Sequence, residues 1–429
     1  MKHNVYSKFR LHSDVFSNIA VLVSEKVFTI AVLLYTDSLM ARSLTLEDYG
    51  VWQYCLALSL ILSSVVLISS GETILGPLVR NKKLNGQIIL SSFLIKSIFG
   101  LLAFSLFCIY GLNYFDSKEH VTLACSLIIM MILSESSGVV SNYFQAKVDI
   151  SKIVRIRLIG LILRFIMFFI IIQNFFGISP NVFMFAGARI FEVIVIATLF
   201  FLLIRNQALN FSFNLRVLKI VFVRGLKYFP SLVFMFICLR LDRIFAERYF
   251  SFESLGVYSV SAQIMEQVCV LMGIVVLTIS PKFILNSKVY FDIKTFLTSL
   301  SFVICVAMFL FVCVRFFSPY FIDLVYGGKF NQSIEIVNSI SWLIFPFSID
   351  LLVTQFLIKN KLSMIVTAKW ILCLVVFCIS YMTFDGSDLV SFSRRHLFNY
   401  VVIGTLSLFI VLWIINKRGN YAAPKEINT

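Results

Sequence analysis

The feature that most constrains this chain is a near-unbroken succession of apolar runs, each long enough to cross a bilayer. A spanning helix needs about 20 mostly apolar residues. Twelve candidates lie near 15–40, 50–79, 88–115, 121–146, 158–177, 182–204, 227–249, 256–285, 296–325, 334–358, 364–384 and 396–416. No water-soluble core could hide them, because a soluble protein must still cover itself with polar groups. Composition agrees, with 59% hydrophobic and only 14% charged residues and a mean hydropathy of +0.94. The pattern predicts an all-α integral membrane protein with twelve transmembrane helices.

Several function classes drop out at once. The nine cysteines all fall inside apolar runs, where they act as small buried hydrophobes rather than a disulfide or metal framework. His3, His12, His120 and His396 are scattered, so no zinc-type cluster forms, and no cofactor motif is visible. No phosphate-binding glycine loop or nucleophile elbow appears, and no soluble domain is present to carry conventional catalysis. The first run is long and interrupted by Glu25, Lys26 and Asp37, which reads as a retained span rather than a cleaved leader.

Lysine and arginine set the expected orientation. The N-terminus, even-numbered connections and C-terminal tail hold 23 of the 37, the odd-numbered connections 6 and the spans 8. By the positive-inside rule both termini are expected in the cytoplasm. The net charge of +15 is therefore a topology signal and not a sign of nucleic acid. In the longest connection, Leu215, Leu218, Val221 and Phe222 alternate with Arg216, Lys219 and Arg224, the pattern of an amphipathic helix at the membrane surface.

An internal repeat divides the chain. Arg42-Ser-Leu-Thr-Leu-Glu-Asp-Tyr-Gly-Val-Trp52 follows span one, and Arg248-Tyr-Phe-Ser-Phe-Glu-Ser-Leu-Gly-Val-Tyr258 follows span seven, at a constant offset of 206. Thr45 and Ser251 can each N-cap a helix, with Glu47 and Glu253 in its first turn. Gly50 and Gly256 would permit a turn into the next span, and Trp52 and Tyr258 would sit at the interface. A weaker echo at offset 212 pairs Phe144–Lys147 and Ser151–Val154 with Phe356–Lys359 and Ser363–Val366, and short apolar strings also match by chance. Duplication predicts two six-helix bundles related by a pseudo-two-fold along the membrane normal, with a central cavity. The expected units are an N-terminal bundle over 1–205, a cytoplasmic amphipathic connection over 206–226, a C-terminal bundle over 227–416 and a tail over 417–429.

The first repeat string, with Leu241-Asp242-Arg243 and Leu255-Gly256-Val257-Tyr258-Ser259, is similar to features of bacterial polysaccharide flippases. The likeness is to the O-antigen flippases, whose superfamily also holds the lipid II flippases and the multidrug and toxic-compound extrusion exporters. The resemblance implies a transporter rather than an enzyme. It would move an undecaprenyl-diphosphate-linked oligosaccharide across the inner membrane by alternating access, driven by an ion gradient. The implied partners are that lipid-linked sugar, membrane lipid and the polysaccharide polymerase machinery. The two extra spans of typical lipid II flippases are absent.

An ionisable group deep in a bilayer costs at least about 2.5–3.5 kcal/mol, so each needs a reason. Lys96, Arg164, Lys369 and Arg315 lie toward helix ends and could snorkel. Arg189 with Glu192 and Arg243 with Glu247 have the spacing of pairs on one helix face. Lys26 and Arg240, mid-span on helices one and seven, are the leading candidates for holding a diphosphate, with Arg164 as a third. Glu25, Glu72, Glu135, Asp242, Glu266 and Asp350 are candidates for the cavity or ion coupling, or for structural pairs. Pro230, Pro281 and Pro346 would break helices seven, eight and ten, as hinges or simple kinks. Two rival functions remain. A drug or ion exporter of the same fold fits the buried charges equally well. A membrane-embedded glycan polymerase or ligase would usually present a sizeable outer loop bearing Arg and His, and the longest outer connection here is about a dozen residues.

Overall fold

The computed structural model describes residue 24 and residues 26–418, apart from 115–116, 148, 176, 281–292, 361 and 387. Every regular element among them is helical. The first half holds α1 (26–43), α2 (Leu46–Ser63), α3 (Gly71–Arg80), α4 (Asn85–Tyr114), α5 (Lys118–Ser137), α6 (Val139–Ala146), α7 (Ile150–Ile172) and α8 (Val182–Arg205). After the connecting α9 (Leu215–Leu226) come α10 (Phe229–Cys238), α11 (Leu241–Tyr249), α12 (Phe252–Ile279), α13 (Ile293–Phe321), α14 (Gln332–Ile340), α15 (Ile344–Lys359), α16 (Ser363–Met382) and α17 (Leu389–Arg418).

Among the described residues nine stretches are long and apolar enough to cross a membrane, or ten if the bent run from α9 into α10 and α11 counts as one. The other two expected spans coincide with α1 and α7. At 23 residues α7 is about 34 Å long, but Arg155, Arg157 and Arg164 interrupt its apolar run.

The repeat is written into local structure. Thr45 accepts from the Asp48 amide and Ser251 from the Ser254 amide, both from extended backbone, so each caps its helix as the sequence predicts. The glycines do something else. They lie within α2 and α12, where those helices cross. A Cβ on Gly50 would sit 1.9 Å from the Phe252 carbonyl oxygen, and one on Gly256 would sit 2.5 Å from that of Leu46. Leu46 and Phe252 are themselves equivalent at offset 206, so the contact is symmetric and marks the pseudo-two-fold. Nor do Trp52 and Tyr258 face an interface; both are buried, Tyr258 against Phe392 and Asp242 of its own half. The weaker echo also lands on matched places, with Phe144 and Phe356 buried in the last turns of α6 and α15.

The apolar core shows which end is sealed. One cluster runs through the whole second half and into the first half around Tyr49, Leu127 and Phe185, near the odd-numbered connections. Around Ile74, Tyr143 and Ile204, near the even-numbered connections, the first half has a separate cluster. The halves therefore share their main core at the α2–α12 crossing; toward the opposite end the clusters separate, and contact passes through α10, which packs on Ser64–Ser69 and sets Phe229 against Phe99. A strap reinforces the sealed end: Lys329 donates to the carbonyls of Arg42 and Leu44 at 3.1 and 2.7 Å, and Arg42 reaches back to the Leu324 carbonyl. Burial, with Arg42 alongside, holds the Lys329 ammonium below the usual lysine range.

Several spans are broken. Span two leaves α2 through a 3-10 segment, Ser64–Ser69, and restarts at Gly71. Span seven breaks at Leu239–Arg240, with no proline involved. Pro230 instead sits at the start of α10, where its missing N–H costs nothing, and Pro346 lies in the first turn of α15. Pro281 lies outside the described residues. α9 buries Val217, Val221 and Gly225, and a Cβ on Gly225 would meet the Ile68 carbonyl at 1.9 Å. The connection thus packs on the broken part of span two while leaving Leu215, Ile220 and Val223 exposed, so only part of its apolar surface remains for lipid.

Candidate functional site

The buried charges pair between helices, which corrects three sequence expectations. Lys96, Arg164 and Lys369 do not snorkel; each finds a carboxylate on a neighbouring helix. Lys96 on α4 meets Glu135 on α5 at 3.1 Å and also donates to its backbone carbonyl. Arg164 on α7 forms a fork with Glu192 on α8, with both bonds at 2.6 Å. Lys369 on α16 bonds Asp350 on α15, which also accepts from Ser407 on α17 at 2.5 Å. Arg189 is secondary to Arg164, at 3.9 Å from Glu192. Arg243 turns to Glu266 on α12 rather than to Glu247, because α11 begins at Leu241 and aims that face at α12. Arg315 reaches the Asn338 carbonyl and stays partly exposed, in keeping with a helix-end position.

Each half holds a cavity lined by its own residues. The second-half cavity has a volume of about 310 Å³ and is lined by Arg240, Asp242, Glu266, Gln267, His396 and Tyr400 among others. It opens at the break in span seven. Cys238 ends α10, Arg240 takes a non-helical turn, and Asp242 falls in the first turn of α11. Arg240 and Arg243 share one carboxylate oxygen of Glu266, Arg243 at 2.7 Å. Tyr258 donates to Asp242 at 2.9 Å, and Tyr381 bonds His396 Nδ1 at 2.6 Å. Arg243 is nearly closed off, whereas the side chains of Arg240 and Glu266 are 18% and 30% exposed. Chemically this is an arginine fork held by a carboxylate that solvent, or an anion, can reach.

The first-half cavity, about 320 Å³, lies between α3, α4, α5, α6, α7 and α8. Lys96, Glu135 and Arg157 line it with serines and the amides of Asn142 and Gln145. Here the cation is buried and the carboxylate shows, at 4% and 38%.

The structure thus brings Arg240, Asp242 and Glu266 together and places Glu135 in the other cavity. It sets Arg164 and Asp350 apart from both, in closed ion pairs. Lys26 is part-buried on α1 and lines neither cavity. Glu25 lies outside the described residues, as does the side chain of Glu72. Among the described residues no cluster could hold a metal ion.

Sequence reasoning missed a network at the sealed end. Tyr49 donates to Asp37 at 2.7 Å, Gln53 donates to Tyr49 at 2.8 Å and to Gln263 at 3.2 Å, and Tyr326 reaches Asp37 at 3.4 Å. It ties α1 and α2 to α12 across the halves. Asp37 was visible only as an interruption of span one. Its partners lie up to 289 positions away, so no local spacing could reveal them.

Solved transporter structures share the fold, among them the three that follow. An inward-facing multidrug-resistance transporter of the MATE family and MOP superfamily is 15% identical, with 91% of this chain and 96% of that one covered at a TM-score of 0.65. A Vibrio cholerae MATE transporter is 11% identical over 96% and 99% of the two chains, at 0.66. A MOP-superfamily transporter from Pyrococcus furiosus, described by the reverse polarity of its binding pocket, is 13% identical over 94% and 96%, at 0.60. At these identities the likeness shows the fold alone, a MATE-like pair of helical bundles. No curated protein matches by sequence. A family model described as polysaccharide biosynthesis protein matches residues 39–335, more than half of the chain. This multi-pass membrane protein belongs to the polysaccharide biosynthesis protein family.

Proposed function

We propose that the chain is a flippase that moves a polyprenyl-diphosphate-linked oligosaccharide across the bacterial inner membrane by alternating access. Its twelve spans would leave both termini in the cytoplasm. The observation that carries this reading is Arg240, at the break of span seven, on the wall of an intramembrane cavity. Two phosphate charges cannot cross hydrocarbon bare, so fixed cations must stand in for water. A broken helix with polar groups at the break is a common way to build such a site. Family membership in polysaccharide biosynthesis supports the cargo, and a main core shared at the α2–α12 end, with separate clusters toward the other, supports a form open toward the cytoplasm. In this reading the exposed carboxylates Glu266 and Glu135 couple to the ion gradient, Lys26 is a second cation on the route, and Asp350 and Arg164 are structural.

Arg240→Ala is the direct test. Glu266 keeps Arg243, so the variant leaves no buried carboxylate unpaired and should accumulate normally. Losing a charge-assisted bond to phosphate costs about 1.5–3 kcal/mol, so export should fall more than tenfold. Arg240→Lys should rescue only partly, because it loses the fork. Full surface polysaccharide with Arg240→Ala at normal protein levels would remove this residue from the site. Reporter fusions at Ser151 and Asp385 should report inside and outside. Altered drug sensitivity on deletion, with surface polysaccharide intact, would instead assign the chain to drug export.

A further inference from the structure

We infer that the first-half cavity is a sugar subsite, a pocket that takes a neutral hexose-type ring of the cargo while its diphosphate is held elsewhere. The inference rests on the flippase reading and adds to it a second point of contact, in the other half. The cavity forms where two spans break side by side: α3 restarts at Gly71, and α5 gives way to α6 at Gly138. Gly71 faces the Asn142 amide so closely that a Cβ there would sit 2.9 Å from its oxygen. The missing side chain is what leaves the amide room at the wall.

The lining is polar but offers little net charge. Lys96 and Glu135 cancel each other, which leaves Arg157, bonded to the Ser141 hydroxyl at 2.9 Å, as the one uncompensated charge. What remains is neutral: the Asn142 and Gln145 amides with Ser70, Ser134 and Ser137. Ser70 Oγ is closed off from solvent with no hydrogen-bond partner, a polar group waiting for one. Paired donors and acceptors on amides and hydroxyls match vicinal sugar hydroxyls, which both give and accept. They suit a diphosphate poorly, because Arg157 alone answers few of its charges. At about 320 Å³ the space is at the small end of ligand cavities, typically about 300–1,000 Å³. The Lys and Arg distribution puts this end of the half at the cytoplasm, where the cargo would enter.

The test compares two probes on the purified full-length protein in lipid nanodiscs: undecaprenyl diphosphate, and the same lipid carrying one N-acetylhexosamine. The wild type should bind the sugar-bearing lipid about tenfold tighter, the scale of one or two well-made hydrogen bonds. Asn142→Ala with Gln145→Ala should erase that preference while still binding the bare lipid. If this pair misfolds, the near-isosteric Asn142→Leu and Gln145→Met keep the packing and remove the same bonds. A preference that survives in folded variants overturns the subsite, as does a wild type that binds both lipids equally; both leave the flippase reading standing. A wild type that binds neither lipid overturns the flippase reading, and the subsite with it.

Discussion

Each half of the molecule holds one ion pair deep in its helices and one at a cavity wall, yet the two walls are opposite in character. The closed pairs, Arg164–Glu192 and Lys369–Asp350, are nearly without solvent on either partner. At the walls, the first half hides its lysine and shows its carboxylate, whereas the second half shows an arginine as well. The pairs do not fall at equivalent places in the repeat, since Arg164–Glu192 bridges α7 and α8 whereas Lys369–Asp350 bridges α15 and α16, so each half reaches this inventory by its own route. Under the proposed reading, the difference in which partner faces the cavity would let the two bundles contact different parts of one cargo, a sugar in one and a diphosphate in the other.

The sharpest way to break the comparison is to remove one member of a closed pair. Asp350→Leu strands Lys369, and Glu192→Leu strands Arg164, so each should cost about 3–5 kcal/mol and sharply reduce folded protein in fluorescence-detected size exclusion. Replacing both partners together, Asp350→Leu with Lys369→Met, should restore most of it, since a well-packed apolar pair is often as stable as a buried ion pair. A single variant as stable as wild type would show that the closed and wall-facing pairs do not differ.

The glycine crossing tests whether the halves are equivalent where they touch. Overpacking costs typically about 1–3 kcal/mol, and here it should fall on the sealed conformation. Gly50→Ala should be the more damaging, because its added Cβ lies closer to backbone than that of Gly256→Ala. Disulfide trapping across α2 and α12 should fall in both, and further with Gly50→Ala. Equal, unchanged trapping would mean that the crossing tolerates separation.

The smallest effect sharpens the repeat itself. Removing the caps by Thr45→Ala or Ser251→Ala should each lower thermal stability by about 1 kcal/mol, and by similar amounts. A clear inequality would mean that the two helix starts, alike in sequence and backbone, carry different loads.

Much of this was legible in the chain. Residues 42–52 and 248–258 showed the duplication and its caps, because an N-cap is a local bargain between one side chain and the next turn's amides. Arg240, Asp242, Glu266 and Glu135 stood out because a charge in an apolar run is expensive wherever it lands. The use of Gly50 and Gly256 was misread as a turn, since a helix can take glycine for a neighbour's sake with no local sign. Lys96, Arg164 and Lys369 were read as snorkelling for the same reason: their carboxylates lie on other helices.

Sequence alone determined that this is a helical membrane protein of two related halves, and which ionisable residues demanded explanation. Hydrophobic run length and local capping depend only on neighbours along the chain, and the bilayer supplies the rest. Only the tertiary structure decided which charges cancel, which carboxylates reach a cavity, and where the halves seal. Those outcomes depend on which side chains from distant helices come within about 3 Å of each other, and at that range a shift of one residue around a helix changes the partner.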